Sequence, residues 1–239
     1  MRLRLVVLST ILFAGFTAIC AQTVVITPRK TVYRRPKPLY DFKRTFTIKR
    51  AIARAATPAL SRKITAAISP EKVLEVNVRE ELGEIQWLEE TDYKVLYNQD
   101  GLLSIELWMT GTGAYPDSTI RRVVIDSKTG NVLTIPSVFS NLAGLASMIR
   151  KAQIKEVASA TEEMKSDPDA QPDQLFSETN FTTSDLNEFS ISKDGITFYY
   201  DYGFPHVLEA LQPDGQFHFT WNELKPFIKN DGLLARFVR

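Results

Sequence analysis

Apolar residues recur at every third or fourth position in three stretches of the chain, and this spacing predicts three helices. The first is expected to begin at Thr57-Pro58, because threonine is a good N-cap and proline suits the first helical position. Ser69-Pro70 repeats that start signal, and a longer helix is expected over residues 141–164. The three apolar stripes consist of Leu60, Ile64 and Ile68; of Leu74, Val78, Leu82 and Ile85; and of Leu142, Leu145, Ile149 and Ala152.

Elsewhere the apolar residues alternate with polar ones, which predicts β-strands. A first strand is expected over residues 45–52, with Phe46 and Ile48 on one face. Four hairpins follow, each with a glycine in its turn. Their paired segments are 93–97 with 103–109, 121–126 with 132–135, 189–191 with 196–200, and 207–211 with 217–221. Asn222 is expected to cap a short last helix.

Hairpins that alternate with a few helices are typical of the α+β fold class, with an antiparallel sheet of hairpins and a few packed helices. We expect two subdomains, a small one over residues 45–110 and a larger one over residues 111–235. A chain of this length buries roughly 70% of its unfolded surface, so its core needs no disulfide or structural metal.

The start of the chain has the three features of a signal peptide in the usual order. Arg2 and Arg4 are positive, residues 5–16 are mostly apolar, and small residues follow as far as Ala21. We therefore expect residues 1–21 to be cleaved and the protein to be exported to the periplasm or the extracellular space. The apolar run is shorter than the about 20 residues of a membrane span, so the mature chain is not expected to cross a membrane.

Cys20 is the single cysteine, and two fates are open to it. Cleavage after Ala21 removes it, which leaves no disulfide or thiolate chemistry and changes the net charge from +1 to −1. Cleavage before Cys20 would instead give a lipid-anchored protein. Because Ile19 stands where a lipoprotein signal wants a small residue, cleavage after Ala21 is favoured.

Basic residues are concentrated near the start of the mature chain. Residues 29–54 contain ten basic residues and one acid, Asp41, and residues 22–44 also carry three prolines. This composition predicts a basic extended arm over residues 22–44. The favoured interpretation is a solvated arm; the alternative is contact with an anionic envelope surface, such as lipid headgroups or wall polymers. Nucleic acid is not expected in this compartment.

Several turn and core motifs resemble those of the RsiV- and PdaC-type extracytoplasmic domains. They are GTGAYPD at 111–117, IDSKTG at 125–130, IPSVF at 135–139, FSISKDGITF at 189–198 and FHFTWNELK at 217–225. Residues 46–109 are similar to the smaller domain that usually precedes these motifs. The resemblance therefore covers most of the mature chain.

This resemblance implies an envelope module and no catalytic residues. The outer domain of RsiV, an anti-sigma factor, binds lysozyme, and PdaC carries similar domains beside a peptidoglycan deacetylase. Two features of this chain depart from the family. Its expected cleavable signal leaves no cytosolic segment to hold a sigma factor, and Tyr115 stands where the family commonly has histidine.

Familiar catalytic and cofactor motifs are missing from the sequence, so we expect no cofactor and no metal. His206 and His218 have no recognisable metal-ligand spacing, and His218 is expected to face solvent between Phe217 and Phe219. Residues 167–178 match the acidic positions of a calcium loop, but Pro172 stands where that loop requires glycine. A plain acidic loop is the favoured interpretation.

Carboxylate pairs and exposed aromatic rings are the remaining candidate chemistry. Asp117, Asp126, Asp201 and Glu209 are candidates for a glycosidase pair, which leaves no sequence motif. The favoured alternative is that the aspartates beside glycine or proline only form turns; these are Asp100, Asp117, Asp194 and Asp214. Tyr115, Tyr199 and Tyr202 are the candidate binding residues, the last two because they are expected to be the better exposed members of an aromatic cluster.

Three functional hypotheses follow. The favoured one is an exported, non-enzymatic envelope module that binds a wall-active, lysozyme-like protein or a peptidoglycan-related glycan. The first alternative is a cell-wall glycan hydrolase with an unrecognised carboxylate pair. The second is a structural accessory of an envelope complex, with the basic arm as its docking segment.

Overall fold

A computed structural model describes residues 24–165 and 170–239 of the chain. The predicted signal peptide, residues 1–21, lies outside the described residues. Within the described ranges the strands are β1 Val25–Arg34, β2 Thr45–Arg54, β3 Leu88–Gln99, β4 Leu102–Thr112, β5 Pro116–Asp126, β6 Asn131–Val132, β7 Phe189–Ile191, β8 Gly195–Tyr199 and β9 Gln216–Thr220. The helices are α1 Pro58–Ala67, α2 Pro70–Val73, α3 Val78–Leu82, α4 Ile135–Val138, α5 Leu142–Met164, α6 Pro172–Leu175 and α7 Trp221–Leu224. Short 3₁₀ segments lie at Asp41–Lys43, Asp185–Asn187, His206–Leu211 and Ala235–Phe237.

Two sheets organise the described residues. Strands β1 to β6 form a six-stranded sheet in sequence order, and β7 to β9 form a three-stranded sheet. All neighbouring strands are antiparallel except β2 and β3, which pair in parallel over Thr47 and Ile48. The predicted α+β class with a mainly antiparallel sheet is confirmed, and each sheet has a hydrophobic core cluster of its own, consistent with two subdomains.

Helix α1 covers the part of β2 that diverges from β3. The Ala53 N–H donates to Thr65 Oγ1 at 3.0 Å, and the Ala55 N–H donates to Ser61 Oγ at 2.9 Å. These helix side chains satisfy backbone N–H groups at and just beyond the end of β2. The helix begins where the sequence predicts, since Thr57 Oγ1 accepts the Leu60 N–H.

The second core lies between the three-stranded sheet, α5 and the inner side of β4 and β5. A buried contact joins the two sheets, because the Ile191 N–H of β7 donates to Ser104 Oγ of β4 at 3.1 Å. Helix α5 and the first and third predicted hairpins are confirmed. The predicted boundary between residues 110 and 111 falls inside β4, whose pairing with β5 continues to Thr112.

The predicted extended arm over residues 22–44 is wrong for residues 25–34. Residues 25–34 form β1, which pairs with β2 over ten residue pairs from Val25–Arg54 to Arg34–Thr45. Cross-strand pairing overrides the charge content, because basic side chains can project from an edge strand while its backbone is bonded. Residues 25–34 are therefore not the free docking segment that the structural-accessory hypothesis requires.

The single helix predicted from Ser69 to Ile85 is also wrong. It is divided into α2 and α3, and Glu75 between them has a positive φ of 57°. Asn77 starts α3, since its side chain accepts the Arg79 N–H. A stripe of apolar residues at helical spacing thus serves two short helices that pack on the same core.

Two predictions near the C-terminus, a fourth hairpin and a helix cap at Asn222, are also wrong. Residues 207–211 lie in the 3₁₀ segment His206–Leu211 and form no hairpin with β9, which pairs with β8 instead. The N-cap of helix α7 is Thr220 instead of Asn222, and its side chain forms a reciprocal capping box with Glu223.

The second hairpin is shorter than predicted, because β6 ends at Val132 and Ile135 begins α4.

Candidate functional site

A cleft of about 650 Å³ lies between the outer edge of β5 and the chain that follows β8. We call it the edge cleft. It is open because β6 pairs only with Ile125 and Asp126, which leaves the first part of β5 without a strand partner on that side within the described residues. Its lining residues are Asp117, Ser118, Thr119, Ile120, Arg121, Arg122, Glu188, Tyr199, Tyr200, Asp201, Gly203, Phe204, His206, Glu209, Gln212, Asp214 and Gln216.

The backbone direction of β5 determines which peptide groups face the edge cleft. Val124 O accepts the Leu133 N–H at 2.8 Å, so even-numbered residues of β5 point their backbone groups away from β4. Ser118 and Ile120 share that direction, and Pro116 O lies 3.3 Å from His206 Nε2. The edge cleft therefore has a strand edge as one wall.

Acidic side chains dominate the edge cleft. Among the described residues, its lining includes five carboxylates, at Asp117, Glu188, Asp201, Glu209 and Asp214, against two arginines. Both arginines are already engaged. Arg122 pairs with Glu106 at 2.7 Å and its guanidinium lies 3.3 Å from the ring centroid of Tyr199, and Arg121 Nε lies 3.9 Å from Glu188 Oε1. The cleft is consequently suited to a cationic ligand.

Glu188 has the most unusual environment of these acids. Burial raises its pKa above the usual glutamate value, while Arg121 and Arg122 oppose that rise. Its Oε2 atom is buried and has no hydrogen-bond partner within the described ranges. Sequence reasoning missed Glu188, because it is not near a glycine or proline turn and directly precedes the buried strand residue Phe189.

Of the predicted binding residues, Tyr199 lines the edge cleft and Tyr115 contacts its lining residue His206. Tyr115 is 66% exposed in the turn between β4 and β5, and its ring stacks on the imidazole of His206 with centroids 5.2 Å apart. Tyr199 is half-buried; its hydroxyl shares a 2.9 Å hydrogen bond with Ser190 Oγ, and Arg122 covers its ring. Tyr115 is therefore the more accessible ring.

The prediction that Tyr202 is exposed is wrong. Its hydroxyl donates to Glu156 Oε2 at 2.6 Å, and its ring packs against Phe176 with centroids 5.6 Å apart. Burial, together with the Glu156 carboxylate, raises the pKa of Tyr202. Tyr202 follows the end of β8 at Tyr199 and lies in an aromatic cluster, where its ring also contacts Tyr200 and Phe204.

The candidate carboxylates divide into two groups. Asp117, Asp201 and Glu209 line the edge cleft, but Asp126 lies in the β5–β6 turn, where its carboxylate accepts from the Lys128 N–H and Thr129 Oγ1. Asp201 also serves a turn, since its Oδ1 accepts the Gly203 N–H at 2.9 Å. Asp126 therefore serves a turn, although the turn-former interpretation did not include it, and Asp201 both serves a turn and lines the cleft.

No group of three histidine, aspartate or glutamate side chains in residues 24–165 and 170–239 is placed to hold a metal ion. His218 is exposed as predicted and lies 3.1 Å from Thr197 Oγ1. Of the acidic segment 167–178, for which a plain loop was predicted, Asp167 and Asp169 lie outside the described residues, and Pro172 begins α6. The described helices also include none that is long and apolar enough to cross a bilayer.

The fold is that of a mixed α+β module shared with solved bacterial proteins. A DUF3298 family protein from Pseudomonas aeruginosa PAO1 superposes with a TM-score of 0.54 at 14% identity, over 88% of this chain and 95% of that one. A DUF3298 family member from Bacteroides fragilis NCTC 9343 gives 0.57 at 13% identity, over 91% and 98% of the two chains. These neighbours belong to the RsiV- and PdaC-like family. No family model and no curated protein matches the sequence.

Proposed function

We propose that this protein is an exported, non-enzymatic module of the cell envelope whose edge cleft binds a cationic, wall-active protein of the lysozyme-like kind. The observation that carries the proposal is that one cleft combines an acidic lining with a stretch of the β5 edge that has no partner strand among the described residues. Export rests on the signal-like residues 1–21, and the kind of partner rests on the resemblance to the RsiV-type domain.

The β5 edge supports binding of an extended segment of the partner. Ser118 N–H donates to Asp117 Oδ1, and Ile120 O accepts from Arg121 Nη1 at 3.0 Å, so both backbone groups have partners from neighbouring side chains. A partner strand could displace these side chains and form main-chain hydrogen bonds with β5, as in β-strand addition. The carboxylates around it would then select basic side chains.

Calorimetric titration of the purified protein with lysozyme, at low and high salt, tests the proposal. We expect binding that weakens as salt rises, and an affinity at least about threefold lower for Glu188→Gln/Glu209→Gln, because two cleft charges are removed. The control, Glu84→Gln/Asp231→Asn, removes two exposed charges elsewhere and is expected to bind as wild type. Absence of heat with both lysozyme and solubilised peptidoglycan would refute the binding module.

A glycan is the second candidate ligand, and two observations favour it. Tyr115 presents an exposed ring stacked on His206, which lines the cleft, and sugars stack on such rings. Glu188 combines a raised pKa with other carboxylates in the same cleft, which is the arrangement of a glycosidase acid. Release of reducing ends from peptidoglycan by wild type, lost in Glu188→Gln, would establish the hydrolase; binding that is lost only in Tyr115→Ala would establish a glycan-binding module.

A further inference from the structure

We propose that the loop of residues 36–44 attaches the protein to an anionic phospholipid surface, with Leu39, Tyr40 and Phe42 as the inserting side chains. This loop, which we call the tip loop, joins β1 to β2. It lies within the basic segment 29–54, to which the proposed binding at the edge cleft assigns no role. The inference does not depend on what the edge cleft binds.

The tip loop reverses the usual distribution of charged and apolar side chains. Leu39 and Phe42 are each 64% exposed and Tyr40 is 63% exposed, whereas Lys43 is buried. Arg35, at the base of the loop, is also buried. Large apolar side chains gathered in solvent mark an interaction surface when they lie together. The rings of Tyr40 and Phe42 do so, since they are stacked with centroids 5.4 Å apart and nearly parallel planes.

Buried polar groups hold the tip loop in this conformation. The Arg35 N–H donates to Arg44 O at 2.9 Å and closes the base of the loop. Inside it, Lys43 Nζ donates to Trp87 O and Thr112 O at 3.1 and 2.7 Å. The apolar side chains are therefore presented by a fixed backbone, which lowers the entropic cost of binding.

Gln86 joins the tip loop to the segment that contains a further exposed apolar residue, Ile85. Its Oε1 accepts the Leu39 N–H at 2.9 Å, and its Nε2 donates to Lys37 O at 2.8 Å. The preceding residue, Ile85, is 54% exposed. The apolar surface thus extends from the tip loop to the segment before β3.

Charge identifies the surface that this patch fits. Arg34 and Lys37 are exposed and form no ion pair within the described ranges, and Asp41, the acid of the loop, is paired with Arg44 at 2.7 Å. The flanking strand β1 adds Arg29 and Lys30. Exposed apolar and tyrosine side chains beside the basic residues Arg34 and Lys37 suit the headgroup level of an anionic bilayer, which attracts basic side chains near its surface.

Vesicle sedimentation tests the proposal with the exported protein. We expect it to bind vesicles with about 30 mol% phosphatidylglycerol and to bind pure phosphatidylcholine much more weakly. Leu39→Ser/Phe42→Ser should lower partitioning to the anionic vesicles at least about tenfold, because two inserted apolar side chains are lost. The control Val207→Ser removes another exposed apolar residue and should partition as wild type. Equal partitioning of the double variant and wild type would overturn the proposal.

A second measurement reports on the loop itself and is independent of residues 1–21. In Tyr40→Trp, the fluorescence difference from wild type should shift to the blue on anionic vesicles and be quenched by brominated lipids. An unshifted difference spectrum in a protein that sediments with vesicles means that another part of the chain binds, which contradicts the proposal. Binding of the patch to a protein, with no vesicle binding, also contradicts it.

Discussion

The buried pair of Arg35 and Glu81 gives the sharpest prediction about stability. The Arg35 side chain is completely buried and the Glu81 side chain is 10% exposed, with Nη2 and Oε2 2.9 Å apart. Arg35 Nε donates to Glu81 O, and its two terminal nitrogens donate to Lys43 O and Leu88 O, at 2.7 to 3.0 Å. One guanidinium thus joins three separate segments of the chain.

Replacing Arg35 by methionine removes the donors and keeps most of the volume. The Glu81 carboxylate would lose its cation, although Oε2 would still accept the Leu88 N–H at 2.9 Å. Breaking a buried ion pair from one side costs about 3 to 5 kcal/mol, since it leaves an uncompensated buried charge. For a chain of this size that loss lowers Tm by roughly 6 to 20 °C.

Urea unfolding followed by far-ultraviolet circular dichroism measures this loss. The control, Arg34→Met, changes the exposed neighbour and is expected to stay within about 0.5 kcal/mol of wild type. Arg35→Met/Glu81→Met should be more stable than the sum of the two single variants predicts, because the pair is coupled. A loss under about 1 kcal/mol for Arg35→Met would refute the assigned role of the buried charge.

Three further predictions concern separate parts of the molecule. Because the folded-state pKa of Glu188 is raised, its ionisation destabilises the folded protein as pH rises above the usual glutamate pKa. Glu188→Gln should therefore be more stable than wild type at pH 7 and should lose that advantage at low pH, as urea midpoints at the two pH values will show. Gly195→Ala should lower the free energy of unfolding by at least about 3 kcal/mol in the same assay, because the added Cβ would lie 1.9 Å from the backbone oxygen of Phe219. The control Gly203→Ala has open space around its Cβ and a φ of +66°, so it should lower that free energy by only about 1 kcal/mol. If residues 1–21 are a cleaved signal peptide, mass spectrometry of the protein isolated from its host should find Gln22 at the N-terminus, and a fatty acid on Cys20 would contradict that cleavage.

Interactions between residues close in sequence account for the parts of the fold that the sequence predicted. The start of α1 depends on Thr57 accepting the backbone N–H three residues later, and the first hairpin depends on alternation around a short turn with Gly101 at a φ of 70°. The N-cap at Asn141 likewise fixes the start of α5. Such contacts need no knowledge of the rest of the chain.

Errors occurred where distant residues override the local pattern. The basic segment became β1 because β2 supplies a pairing edge, and burial of Arg35 and Lys43 satisfies charges that the composition assigned to solvent. The predicted 69–85 helix was interrupted at Glu75, although Leu74, Val78 and Leu82 of its apolar stripe remain in contact with one core. Periodicity reports which residues face a core, but it does not report whether one element or two carries them.

The candidate site shows the same division. The sequence by itself indicated Tyr115, Tyr199 and several carboxylates as polar or aromatic candidates, because residue type alone limits the possible chemistry. Only the tertiary structure brought Asp117 and Glu209 into one cleft, buried Tyr202, and placed Glu188 beside the β5 edge. Burial and spacing between distant strands decide pKa and accessibility, and neither quantity is encoded in a local pattern.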